Sequence, residues 1–120
     1  MSDRRLSVPL ILAALLGLAG CAMIDRMSGV SEAKALQSMG TAAQATILEI
    51  WDTGTTVNDD PVIGLEVLVY PAEGQAWRAT IARSLISRLD VPRFQPGQTI
   101  PVRYDPQSPS RVALDLYNYK

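Results

Sequence analysis

The chain has 120 residues, 48% of them hydrophobic and 19% charged, with a net charge of −1. It holds one cysteine and no histidine, which excludes an internal disulfide and removes the commonest general base and neutral metal ligand. With no basic cluster in that near-neutral balance, nothing supports nucleic-acid binding.

The N-terminus reads as an export signal. Arg4 and Arg5 give a short positive region, and Leu6 to Gly20 are almost wholly apolar. That run is shorter than the ~20 residues a spanning helix needs. Its length suits the apolar part of a signal peptide ahead of a small-residue cleavage site. Leu18-Ala19-Gly20-Cys21 closes the run and resembles the lipobox of bacterial lipoproteins. The resemblance implies cleavage between Gly20 and Cys21, a diacylglyceryl thioether on Cys21, and acylation of the new amine. An uncleaved N-terminal anchor is the competing reading. Leu6-Ser7-Val8 after the arginine pair does not match the twin-arginine export pattern, so ordinary secretion is expected. Two or three acyl chains hold a protein firmly on a bilayer without spanning it. Ala22, rather than Asp, follows the cysteine. By resemblance to enterobacterial lipoproteins this favours the outer membrane, facing the periplasm, over the outer leaflet of the inner membrane.

Removing residues 1–20 takes away two basic residues and one acidic residue and leaves a net charge of −2. What remains is one domain's worth of chain. Residues 21–40 read as a lipidated tether followed by a short helix. In that reading Ser31 caps the helix start and Gly40 takes the left-handed position past its end.

From Thr41 onward the apolar residues alternate, which predicts half-buried strands. Thr41 to Trp51 forms a first strand whose phase slips near Ile47-Leu48, where a bulge would bend it. Ile63, Leu65, Val67 and Val69 share one face of a second strand, and Trp77, Ala79 and Ile81 one face of a third. Ile100, Val102 and Tyr104 mark a fourth; Val112, Leu114 and Leu116 mark a fifth. Asn58-Asp59-Asp60-Pro61, Pro71 to Gly74, Gln95-Pro96-Gly97-Gln98 and Asp105 to Pro109 carry turn chemistry. Leu85 to Phe94 is open between a loop, a helical turn and more of the third strand. Pro101 requires a position where its missing N–H does no harm.

Five strands, each with a single apolar face, predict a mainly β fold, a small OB-like or SH3-like barrel over residues 41–116, with 117–120 as a tail.

The order and spacing of several pieces resemble a bacterial family of small envelope or membrane-attached β domains of unknown function. The pieces are Gly40-x-x-Ala43-x-Ala45-x-Ile47, Thr53-Gly54-x-x-Val57-Asn58-x-x-Pro61, Pro96-Gly97-x-x-Ile100-Pro101-Val102-x-Tyr104-Asp105-Pro106 and Pro109-x-Arg111-Val112-Ala113-Leu114-Asp115. The chain departs from the pattern at Ala76-Trp77-Arg78-Ala79, where a tyrosine and an acidic residue are expected. What the resemblance implies is a compact OB-like or SH3-like barrel, not an enzymatic activity.

Three patterns bear on chemistry. Asp52-Thr53-Gly54 is the triplet of aspartic proteases, whose mechanism needs two carboxylates sharing a proton. This chain could supply the pair only as a homodimer, and the apolar-Gly element Val62-Ile63-Gly64 follows too soon for that fold. The plainer reading is a turn in which Asp caps, Thr bonds locally and Gly takes positive φ. Ser31-x-x-Lys34 matches a serine acyl-transferase motif by letters alone. Asn58-Asp59-Asp60 offers oxygens but lacks the spacing of a calcium loop. Glu49, Glu66 and Asp115 read as surface charges.

Trp51 and Trp77 either pack in the core or form a stacking face for a small molecule or glycan. Tyr117 and Tyr119 either close the barrel or contact a partner. The expectation is therefore a non-enzymatic, membrane-anchored lipoprotein without cofactor or metal. Cys21 is its lipid attachment, and its barrel meets another envelope protein, an exposed sheet edge being one candidate contact. A ligand-binding barrel is the alternative, and a dimeric protease using Asp52 is the remote one.

Overall fold

The computed structural model describes residues 28–116. The signal, Cys21 and the tyrosines at 117 and 119 lie outside the described residues. In chain order come α1 (Val30–Met39), β1 (Thr41–Val57), β2 (Asp60–Tyr70), β3 (Trp77–Leu85), a 3-10 turn (Val91–Arg93), β4 (Thr99–Asp105) and β5 (Ser108–Leu114). The fold is thus mainly β, with five antiparallel strands in one sheet ordered β3-β2-β1-β4-β5.

β1 makes this arrangement possible. Along its first six residues, Thr41 to Thr46, it pairs with β4 on one side, while from Gln44 to Val57 it pairs with β2 on the other. Its register slips between Ile47 and Glu49, leaving Leu48 as the extra residue of the expected bulge. A bulge bends a strand and increases its twist. The bent strand rolls the sheet until its two edges, β3 and β5, face each other. There the Trp77 indole N–H donates to the Pro109 carbonyl (2.9 Å). Three strands in a meander, then a return to the far side of β1, give the OB-like choice of the two expected barrels.

The core is the alternating set read from the sequence. Ala45 and Ile47, then Ile63 to Val69 at every second residue, join Ala79, Ile81, Ile100, Val102, Val112 and Leu114. The segment after Leu85 adds Ile86 and Phe94 to this core. That segment is a loop with one 3-10 turn, which settles the open reading of Leu85 to Phe94. The Gln95–Gln98 turn closes with a Gln98 N–H to Gln95 carbonyl bond (3.1 Å), and Gly97 has φ +92. It docks on the β1 bulge: the Gly97 N–H reaches the Ile47 carbonyl (2.7 Å), and the Ile47 N–H reaches the Gln98 carbonyl (2.9 Å).

Several local expectations are corrected. Asp52-Thr53-Gly54 is not a chain-reversing turn but a second irregularity inside β1, between Asp52 and Thr55. Its residues play the anticipated roles there. Asp52 Oδ1 accepts the Gly54 N–H (2.8 Å), Thr53 Oγ1 donates to the Val62 carbonyl (2.6 Å), and Gly54 has φ +83. The reversal comes later, at Asn58 and Asp59, both at positive φ (51° and 69°). Such a two-residue turn suits the right-handed twist of flanking strands.

Pro61 therefore lies within β2, not in the turn. It and Pro101 solve the same problem on two inner strands. In an antiparallel ladder a residue's N–H and C=O face the same neighbour. The Pro61 carbonyl accepts from Ile86 (3.2 Å) and the Pro101 carbonyl from Asp115 (3.0 Å). Ile86 and Asp115 are the first residues beyond β3 and β5, so each missing N–H falls where the outer strand has ended. β5 also starts earlier than the alternation suggested, at Ser108, and stops before Leu116.

The helix is present, but its ends are built differently from the expectation. Gly29, at φ +80, holds the N-cap position without a side-chain cap, so Ser31 is not the cap. Gly40 is extended (φ −83) rather than left-handed, and its N–H bonds the Leu36 carbonyl. The helix is docked on the barrel. Ala33 and Leu36 pack on Ala113 of β5, which is why Ala113 is buried although it lies opposite the barrel's core face. Arg111 binds Glu32 and Asp105, and Arg103 binds Asp115 (3.1 Å) and the Gly40 carbonyl (3.2 Å). Asp115 is therefore an ion-pair partner. Glu66 likewise pairs with Arg78 (3.0 Å), while Glu49 is exposed.

Candidate functional site

The two tryptophans do not share a face. Trp51 pairs with Gly64 across the β1–β2 ladder. Its indole lies on that glycine, so a Cβ added at Gly64 would sit 2.3 Å from the ring. Trp51 is 37% exposed. Trp77 is half-buried at the β3–β5 edge, and its ring stands edge-on to Tyr104 with centroids 4.9 Å apart. Its polar atom is already used by Pro109. Neither tryptophan is among the residues lining the clefts beside Phe94, Gly29 or Tyr70. Trp51 covers a glycine and Trp77 latches the barrel edge.

Asp52 is exposed, and one of its carboxylate oxygens closes the Gly54 bulge. It too lines none of these clefts. Ser31 and Lys34 lie exposed on α1, and Asn58 and Asp59 form the tip of the first hairpin. Among the described residues, no group of three His, Cys, Asp or Glu side chains could hold a metal. No described helix is long and apolar enough to cross a membrane.

The feature that sequence reasoning missed is a cleft of about 450 Å³. Phe94, Ile100, Pro101 and Leu116 make its apolar part, with Gln98 and the Asp90–Arg93 ion pair beside them. Mostly apolar walls with a few convergent polar groups are the usual character of a small-ligand pocket. The loop that builds it has no periodicity, so no pattern in the sequence pointed to it. Only Phe94, the chain's single phenylalanine, hinted that this loop carries a core residue.

The same end of the barrel is where the chain enters the fold. Ser28 is buried, and Gly29 is pressed so tightly on the Arg83 backbone that a Cβ would lie 2.0 Å from its carbonyl oxygen. Arg83 lies close to the end of β3, from which the Ile86–Phe94 loop departs. The Asp60 carboxylate at the first hairpin binds the Arg88 N–H (3.1 Å), tying the hairpin tip to that loop.

A five-stranded OB-like barrel with an N-terminal helix strapped across one edge defines a small β module. The chain belongs to the DUF3592 family, a domain of unknown function, whose model matches residues 43–118. No curated protein and no solved structure matches it.

Proposed function

We propose that this chain is a bacterial envelope lipoprotein, anchored through acylated Cys21, whose DUF3592 barrel is a non-catalytic interaction module. The observation that carries the reading is Leu18-Ala19-Gly20-Cys21 at the end of a charged and then apolar leader. The fold is compatible with it. Ser28, buried among the described residues, follows Cys21 by seven positions, so a lipid on Cys21 would lie a short length of chain from the barrel. The outer membrane, facing the periplasm, is the favoured location, and an envelope protein is the favoured partner. The chemistry-bearing letters of the sequence support binding over catalysis: Thr53 and Trp77 bond backbone carbonyls of the fold, and Asp52 Oδ1 accepts the Gly54 N–H.

The test is metabolic labelling with a fatty-acid analogue. Wild-type protein takes up label and sediments with membranes, and Cys21→Ser does neither. Label retained by Cys21→Ser, or wild type recovered free in the soluble fraction, overturns the anchoring. Crosslinking in intact cells then identifies the partner.

One observation favours a second reading, a barrel that binds a small apolar molecule. It is the cleft beside Phe94, a candidate distinct from Trp51 and Trp77. Saturable binding of an apolar probe, lost on introducing a charge at the exposed cleft residue Leu116, would promote this reading over the first.

A further inference from the structure

We infer that the barrel end formed by the Ile86–Phe94 loop rests on the bilayer, with Leu89 entering the lipid interface, so that the opposite end faces the partner. This rests on the anchoring proposed above and deepens it by fixing an orientation.

Three observations converge on that end. Leu89 is 83% exposed, far more than any other large apolar residue described. It sits at the tip of a loop, between Arg88 and Asp90. The chain enters the fold at the same end, where Gly29 lies against Arg83. An extended chain spans about 3.5 Å per residue, so a thioether at Cys21, eight residues away, stays within about 28 Å of that point. A domain held so close meets the interface continually, at high effective concentration. Under those conditions one buried leucine side chain is enough to favour the docked orientation roughly tenfold or more.

Charge makes the contact more specific. Arg83, Arg88 and Arg93 at this end are balanced by Asp59, Asp60 and Asp90. The contact is therefore apolar and does not require anionic lipid. The Pro71–Ala76 connection, with Gly74 at its tip, lies at the other end of β3. Together with the β4–β5 turn it points away from the bilayer and is open to a protein partner.

The experiment uses the full acylated chain in phosphatidylcholine vesicles. Acylation blocks the Cys21 sulfur, so Leu89→Cys and, separately, Glu73→Cys each take one environment-sensitive dye. Lipids with brominated acyl chains act as the quencher. The expected result is a blue-shifted dye at position 89, quenched several-fold more than at position 73. Equal quenching on a chain that stays membrane-bound overturns the orientation and leaves the anchor standing. A chain whose residue 21 also takes up dye, and which floats free of vesicles, overturns both. Quenching at 89 that appears only with phosphatidylglycerol present overturns the apolar contact.

Discussion

The two sides of this barrel are held together by different means. Around β1, backbone ladders run on both edges, and the residues beneath them are the aliphatic core of every strand. Across the β3–β5 edge, individual side chains do the joining. One indole N–H reaches a carbonyl, one glycine fits against a backbone, and a helix lays Ala33 and Leu36 on Ala113. The difference teaches where the molecule opens. A ladder over a core unfolds as a unit, whereas an edge held by separate contacts opens in pieces at lower cost.

The largest effects test that contrast directly. Leu65 and Leu36 are both fully buried, and truncating a buried leucine to alanine costs about 2–5 kcal/mol. Leu65→Ala, under β2, lowers amide-exchange protection everywhere by the same free energy. Leu36→Ala strips protection from residues 30–39 first, while β1 and β2 lose far less. Hydrogen exchange resolved by residue checks both. Uniform loss in the two variants would mean that helix and barrel are one cooperative unit and that the contrast is false.

Two glycines sharpen the comparison at the next level. Gly29 and Gly54 have nearly the same φ, +80 and +83. A side chain at either is strained by roughly 1–3 kcal/mol. At Gly54 nothing lies within 4 Å of the added Cβ, whereas at Gly29 the Arg83 carbonyl is in the way. Gly54→Ala thus costs the conformational strain alone. Gly29→Ala costs that strain and also lifts the chain off the edge. Chemical denaturation should place Gly29→Ala at least ~1 kcal/mol below Gly54→Ala, with α1 losing its exchange protection only in the former.

That pair also marks what could be read without a structure. The strands, their inward residues and the Ile47-Leu48 slip were legible because a two-residue period exposes any phase error. The Asp52–Gly54 chemistry was legible too, but not its setting. The same hydrogen bonds serve a turn or a bulge, and only the pairing of Asp52 with Ile63 tells them apart. Gly29 was invisible, because its constraint comes from Arg83, more than fifty residues away. Ser31 was misread as a cap for a related reason. Tertiary contact with β3 and β5 sets where the helix starts, and it overrides the local preference of serine. The cleft beside Phe94 depends on a loop folded across β4, and loops of that kind carry no repeat to read.

The smallest effect concerns charge at the helix strap. Arg111 reaches Glu32 on α1 and Asp105 at the end of β4 (3.5 Å), and about a third of its side chain is exposed. Partly exposed ion pairs contribute about 0–1 kcal/mol and weaken with salt. Arg111→Gln should therefore lower stability by less than ~1 kcal/mol at low ionic strength, and by much less in about 0.5 M salt, where the Debye length is only a few ångströms. Because the strap is also held by Leu36, the helix stays docked and only its exchange rates at the Glu32 end rise. A loss as large as that of Leu36→Ala would show that charge, rather than the apolar contact with Ala113, fastens the helix across the barrel's edge.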